Sequence, residues 1–162
     1  MTQTMKKYAS LALWIFAFEA VSMAIGTATQ GSVDGWYASL TAPPLTPPNI
    51  AFPIMWTILY ALIASAGWFI WRARNDNDGR NKVLLALFVV YMAINWSWTY
   101  IFFAQHWMGL GFLWIMALNA VSLTLILTSW NRVRQAALLL IPAFIWTGFA
   151  AYLNAGYWLL NS

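Results

Sequence analysis

The chain has 162 residues, 62% of them hydrophobic and only 7% charged, against about 45–50% and about 25% in a soluble globular domain. So few charged groups cannot cover the surface of a water-soluble globule, which excludes a soluble enzyme, a nucleic-acid-binding module and a disordered chain. The net charge of +4 comes from bases too sparse and scattered for a nucleic-acid surface, while the absence of Cys and the single His exclude disulfides, zinc–thiolate sites and multi-His metal sites within one chain.

Crossing the hydrocarbon core takes about 20 mostly apolar residues. Five stretches qualify: about 8–28, 50–71, 83–103, 108–130 and 136–160. Their apolar runs are continuous rather than alternating, which excludes a transmembrane β-barrel. The expected fold is an all-α integral membrane protein, a single five-helix bundle with antiparallel neighbours joined by short connections. All eight bases fall on one side of that bundle: Lys6 and Lys7, then Arg72, Arg74, Arg80 and Lys82, then Arg132 and Arg134. The positive-inside rule puts that side and the N-terminus in the cytoplasm, with the C-terminus and the loop after the first span opposite.

The first span holds Glu19, the only charged side chain inside any span. An intramembrane acid is a functional candidate, or else hydrogen-bonds to a neighbouring helix. Ala20, Ala24 and Ala28, like Ser22 and Gly26, have small-xxx-small spacing, as do Ala61 and Ser65 on the second span. Such spacing permits close approach of helices, within the chain or in a dimer.

The connection 29–49 is the long one. It carries Pro43, Pro44, Pro47 and Pro48 together with Trp36, Tyr37 and Leu40. Prolines stiffen a segment and aromatics give it something to bury, so it reads as a semi-rigid lid over one mouth of the bundle.

Spans two, three and five each carry one face of aromatic and polar residues at helical spacing. These are Trp56, Tyr60 and Ile63; Asn95, Trp98 and Phe102; and Trp146, Ala150, Leu153 and Asn154. If the faces converge, they line an aromatic cavity below the lid, suited to a flat macrocycle that stacks on indole rings and needs few polar partners. The alternative reading is core packing for the tryptophans and helix–helix hydrogen bonds for the two asparagines. Trp14, Trp68, Trp71, Trp107, Trp114, Trp130 and Trp158 fit interfacial anchors. Pro53 and Pro142 read as first-turn prolines that mark helix starts, and His106 reads as a loop residue.

Three separated motifs carry a resemblance. Trp36-Tyr37-Ala38-Ser39-Leu40, Pro43 and Pro47-Pro48 lead into Phe52-Pro53-Ile54-Met55-Trp56-Thr57-Ile58-Leu59-Tyr60. Asn95-Trp96-Ser97-Trp98 with Phe102-Phe103 follows, then Pro142, Trp146, Phe149-Ala150 and Leu153-Asn154. In this order the chain resembles the TspO/MBR (tryptophan-rich sensory protein) family, which includes the mitochondrial translocator protein.

The resemblance implies a five-helix membrane protein of the bacterial cell envelope, commonly a homodimer. It implies a receptor, scavenger or transporter of porphyrin-type tetrapyrroles such as protoporphyrin and haem, held as ligands and not as fixed cofactors. The resemblance implies Trp56 and Trp146 as pocket tryptophans and Asn95 with Trp98 as pocket wall; with the helical faces and the lid, the candidate ligand-binding residues are Trp36, Trp56, Tyr60, Asn95, Trp98, Phe102, Trp146, Ala150 and Asn154. The alternative it carries is light-dependent porphyrin degradation, with Trp56 and Trp146 as the reactive indoles. Sterol is also a ligand of some members, but here Leu153 and Tyr157 are followed by no base, so the C-terminal sterol motif is incomplete.

Overall fold

Inside a bilayer every backbone N–H and C=O must find its partner within the protein, so long apolar segments resolve into helices. The computed structural model describes residues 3–75 and 79–162, and among these the chain is helical, with no strand. The helices are α1 (Gln3–Asp34), α2 (Ala51–Ala73), α3 (Arg80–Thr99), α4 (Met108–Trp130) and α5 (Arg134–Asn161). All five are long and apolar enough to cross a membrane. A π-helical turn, Tyr100–Ala104, continues α3, and a short 3-10 turn, Tyr37–Ser39, lies in the connection after α1.

α1 runs past the expected end near residue 28. The polar residues there do not break the helix because they bond within it: the Thr29 hydroxyl donates to the carbonyls of Ile25 (3.0 Å) and Gly26 (3.3 Å), and the Gln30 amide donates to the Asp34 carboxylate (2.8 Å). The proline-rich connection is correspondingly shorter, residues 35–50.

α2, α5, α4 and α3 pack in that order, and α1 lies along α2. Leu59, Ile63, Ile70, Leu118, Leu125 and Leu140 form the buried centre. α1 reaches α3 through rings: Trp14 and Phe18 contact Phe88, and Phe18 contacts Trp96. Gly67 makes this corner. A Cβ there would strike the Phe88 ring and lie 2.8 Å from Trp14, so the three helices meet only because α2 carries no side chain at that point.

Three expectations are corrected. α5 starts at Arg134, so Pro142 lies inside the helix rather than in its first turn. Lacking an N–H, it leaves the Leu138 carbonyl without its helical donor. Pro53, by contrast, does sit in the first turn of α2. Trp68 is no interfacial anchor: it is 1% exposed and its indole N–H donates to Ser10 Oγ at 3.0 Å. Trp114 likewise donates to Ser97 Oγ at 2.9 Å, which ties α4 to α3.

The end that carries the bases is built from cation–aromatic pairs. Arg72 lies 4.8 Å from the Trp68 ring, Arg74 4.1 Å from Trp71, and Arg134 5.0 Å from Trp130. Cationic groups stacked on indoles at the end of the bundle, Trp71 and Trp130 among them, suit a headgroup layer.

Candidate functional site: three aromatic faces and a lid

The predicted faces meet pairwise. α2 joins α3 through the Tyr60 hydroxyl, which donates to Asn95 Oδ1 at 2.7 Å; both residues are buried. Trp56, one turn before Tyr60, packs on its ring at 5.3 Å. α5 joins α2 through Trp146, whose ring lies edge-on to Phe52 at 6.1 Å and packs on Phe149 at 5.8 Å. Ala150, one turn on, is half-buried against the core.

α3 joins α4 and α5 through Trp98. Its indole N–H is shared between the Gly111 carbonyl (3.1 Å) and Asn154 Oδ1 (3.2 Å), and Asn154 Nδ2 donates to the Met108 carbonyl (2.8 Å). Both ends of the Asn154 amide are therefore used in stitching helices together, the plainer of the two roles open to it. Asn95 is different: Oδ1 is occupied and Nδ2 is buried without a partner.

The π turn at the end of α3 was not legible in the sequence, and it shapes the lid contact. Gln105 N–H donates to the Tyr100 carbonyl at 3.1 Å, a wider ring than the α-helix makes. Phe102 and Phe103 both meet the lid there. Trp98 stacks on Phe102 at 5.2 Å, and Tyr37 meets Phe102, Phe103 and Tyr157. Trp36 lies flat on the His106 ring at 4.0 Å and edge-on to Phe102 at 5.6 Å. His106 is a loop residue, as its sequence position suggested, held at φ 58° and stacked under the lid.

Further along, the lid is clamped to α5. Asn161 exchanges two hydrogen bonds with the Thr41 backbone (2.8 and 3.0 Å), and the Tyr152 hydroxyl donates to the Pro44 carbonyl (2.9 Å). Pro43 is buried against Gly156, where a Cβ would come within 2.5 Å of the proline ring. The two residues of the incomplete sterol motif, Leu153 and Tyr157, are both buried inside the bundle.

The chemical character of the site lies in its unmatched donors. Asn95 Nδ2 and Trp146 Nε1, both on predicted faces, are buried with no hydrogen-bond partner. Around Tyr60 the Tyr91 hydroxyl is a further buried donor without a partner, the Trp96 indole lies beside the Tyr60 hydroxyl, and the Glu19 carboxyl oxygen Oε1, an acceptor, is also buried without a partner. Unmet donors at membrane depth are costly, so each is a place where an acceptor gains more than it would in water. Among the described residues no three His, Cys, Asp or Glu side chains come together to hold a metal. Two grooves open along α3, one beside the end of α2 and one against α1, and none of the nine predicted residues lines either.

A sequence profile of the TspO/MBR family matches residues 12–159, which takes in all five helices and the lid. The chain belongs to the TspO/MBR family. Tryptophan-rich protein TspO of Archaeoglobus fulgidus is 36% identical over 149 residues, covering 91% of this chain and 94% of the relative. Protein CrtK of Rhodobacter capsulatus is 33% identical, covering 94% of each. Translocator protein of Ovis aries is 32% identical, covering 80% of this chain and 76% of its own length. This TspO/MBR protein is thus an integral membrane protein, and its family membership supports a membrane receptor or transporter role.

Proposed function

We propose that this protein is a receptor or transporter for porphyrin-type tetrapyrroles, held where the faces of α2, α3 and α5 meet beneath the lid. The observation that carries the reading is the pair of buried, unpartnered donors on those faces, Asn95 Nδ2 and Trp146 Nε1. A macrocycle that displaces the ring-on-ring contacts of the site keeps their stacking energy by offering its own face to Trp56, Trp98 and Trp146. Its rim carboxylates or ring nitrogens supply the missing acceptors. Entry requires the lid to swing, with Trp36 leaving His106 and Pro43 leaving Gly156. The ligand is a passenger, not a fixed cofactor.

The reading includes an N-terminus on the cytoplasmic side of a bacterial envelope membrane. The clustering of every Lys and Arg at one end of the bundle supports it. It also includes a homodimer, supported by the small residues Ala20, Ala24 and Ala28, all exposed along α1.

The test is quenching of Trp fluorescence by a porphyrin series: protoporphyrin, its dimethyl ester and haem. Saturable quenching, weakened when the carboxylates are esterified, is the expected result. Linear, unsaturable quenching by all three overturns the reading.

A further inference from the structure

Two grooves that follow α3, one beside the end of α2 and one against α1, form one track. The first, about 550 Å³, is lined by Arg74, Asn75, Lys82, Leu85, Ala86 and Val89. The second, about 350 Å³, is walled by Trp14, Phe18, Phe88, Met92 and Trp96, and it shares Leu85 and Val89 with the first. The track therefore has a cationic mouth and an apolar, aromatic body. From Lys82 to Trp96 it follows about 21 Å of helix at about 1.5 Å per residue. One leaflet of the hydrocarbon core is about 15 Å deep.

We propose that this track is a binding site for an anionic phospholipid of the bilayer. The phosphate sits between Arg74 and Lys82, and one acyl chain runs inward along α3 past Val89 to the rings of Trp14, Phe18 and Trp96. Four features fix this occupant. The mouth lies at the end of the bundle where every base is found, at headgroup level, so the charge is where a lipid phosphate is. The connection that supplies it carries four bases, Arg72, Arg74, Arg80 and Lys82, against two acids, Asp76 and Asp78. Arg74 is already held in place, its guanidinium 4.1 Å from the Trp71 ring and one of its N–H groups donating to the Trp71 carbonyl, which leaves its other N–H groups for an anion. The track is also longer than one leaflet is deep, so a single acyl chain fits within it. Juxtamembrane bases attract anionic lipid, and the groove turns that attraction into a site.

Native mass spectrometry of the purified full chain with dioleoyl phosphatidylglycerol or dioleoyl phosphatidylcholine tests this. The expected result is retained phosphatidylglycerol, with binding roughly tenfold weaker in Arg74→Gln/Lys82→Gln. Arg132→Gln/Arg134→Gln removes the same charge elsewhere and is expected to leave binding unchanged. Val89→Trp keeps both bases, fills the track, and is expected to weaken binding as well. Equal retention of the two lipids overturns the proposal, as does equal loss in the two double variants, since either makes the attraction a general surface effect. A dimer that forms without bound lipid and is lost in Val89→Trp also overturns it, in favour of a second copy of the chain on this face.

Discussion

Tyr60 donates its hydroxyl hydrogen to Asn95 Oδ1 at 2.7 Å, yet the same amide keeps its Nδ2 buried and unmatched. A residue placed only to join two helices would have been served by the first bond alone. Tyr60→Phe is expected to cost about 1 kcal/mol, the upper range for a hydrogen bond between membrane helices. A double-mutant cycle with Asn95→Leu, read by unfolding in mixed micelles, is expected to give a double variant less destabilised than the sum of the singles. Strict additivity would remove the coupling.

Trp146→Phe separates structure from ligand. The ring contact with Phe52 survives the change, and a buried donor with no partner disappears, so thermal stability is expected to hold or rise slightly. Tetrapyrrole affinity is expected to fall in the same variant. A drop in melting temperature of several degrees would make Trp146 a packing residue.

The lid seam at Gly156 and Pro43 predicts a local effect. Gly156→Ala places a Cβ within 2.5 Å of the Pro43 ring, and the proline, not α5, is the side free to move. Amide exchange in residues 38–46 is expected to speed up while that of the α4 core is unchanged. Unaltered exchange across the lid would contradict the seam.

At Gly67 the same substitution is expected to act globally. The Cβ there meets Phe88 and Trp14 from two other helices, and overpacking a core costs about 1–3 kcal/mol. Gly67→Ala should lower the unfolding midpoint, whereas Gly148→Ala, with open space around it, should not.

A reporter fused after Ser162 and active only outside the cytoplasm is expected to be active. Activity of a cytoplasm-only reporter at that position would reverse the orientation.

Much of the architecture was legible because hydropathy alone separates apolar helices from polar connections. The limits were physical. Hydropathy ended α1 near Ala28, but Thr29 and Gln30 satisfy their side chains within the helix and carry it to Asp34. The fifth span begins within two residues of the expected position, so it is the first-turn reading of Pro142 that fails: proline marks a helix start in most settings, and here it lies eight residues after Arg134. Helical spacing grouped Trp98 with Phe102 and Trp146 with Ala150 and Asn154, since spacing along one helix is local. It did not reveal that Asn154 spends both ends of its amide on α3 and α4 while Asn95 keeps one end free, because that depends on which carbonyls a neighbouring helix presents. The π turn at Tyr100–Ala104 and the close approaches at Gly67 and Gly156 left no signal in composition, and Trp68 looked like an anchor until its burial against Ser10 was visible.

The central claim is that buried donors on α3 and α5 are left open for a ligand. The most direct measurement is equilibrium titration with protoporphyrin, followed by the Soret band, in wild type, Asn95→Leu, Trp146→Phe and Trp158→Phe, the last at an indole 40% exposed. The account predicts saturable binding, weakened about three- to tenfold in each of the first two variants, the worth of one hydrogen bond, and unchanged in Trp158→Phe. Equal affinity in all four proteins, or no saturable binding in wild type, would contradict it.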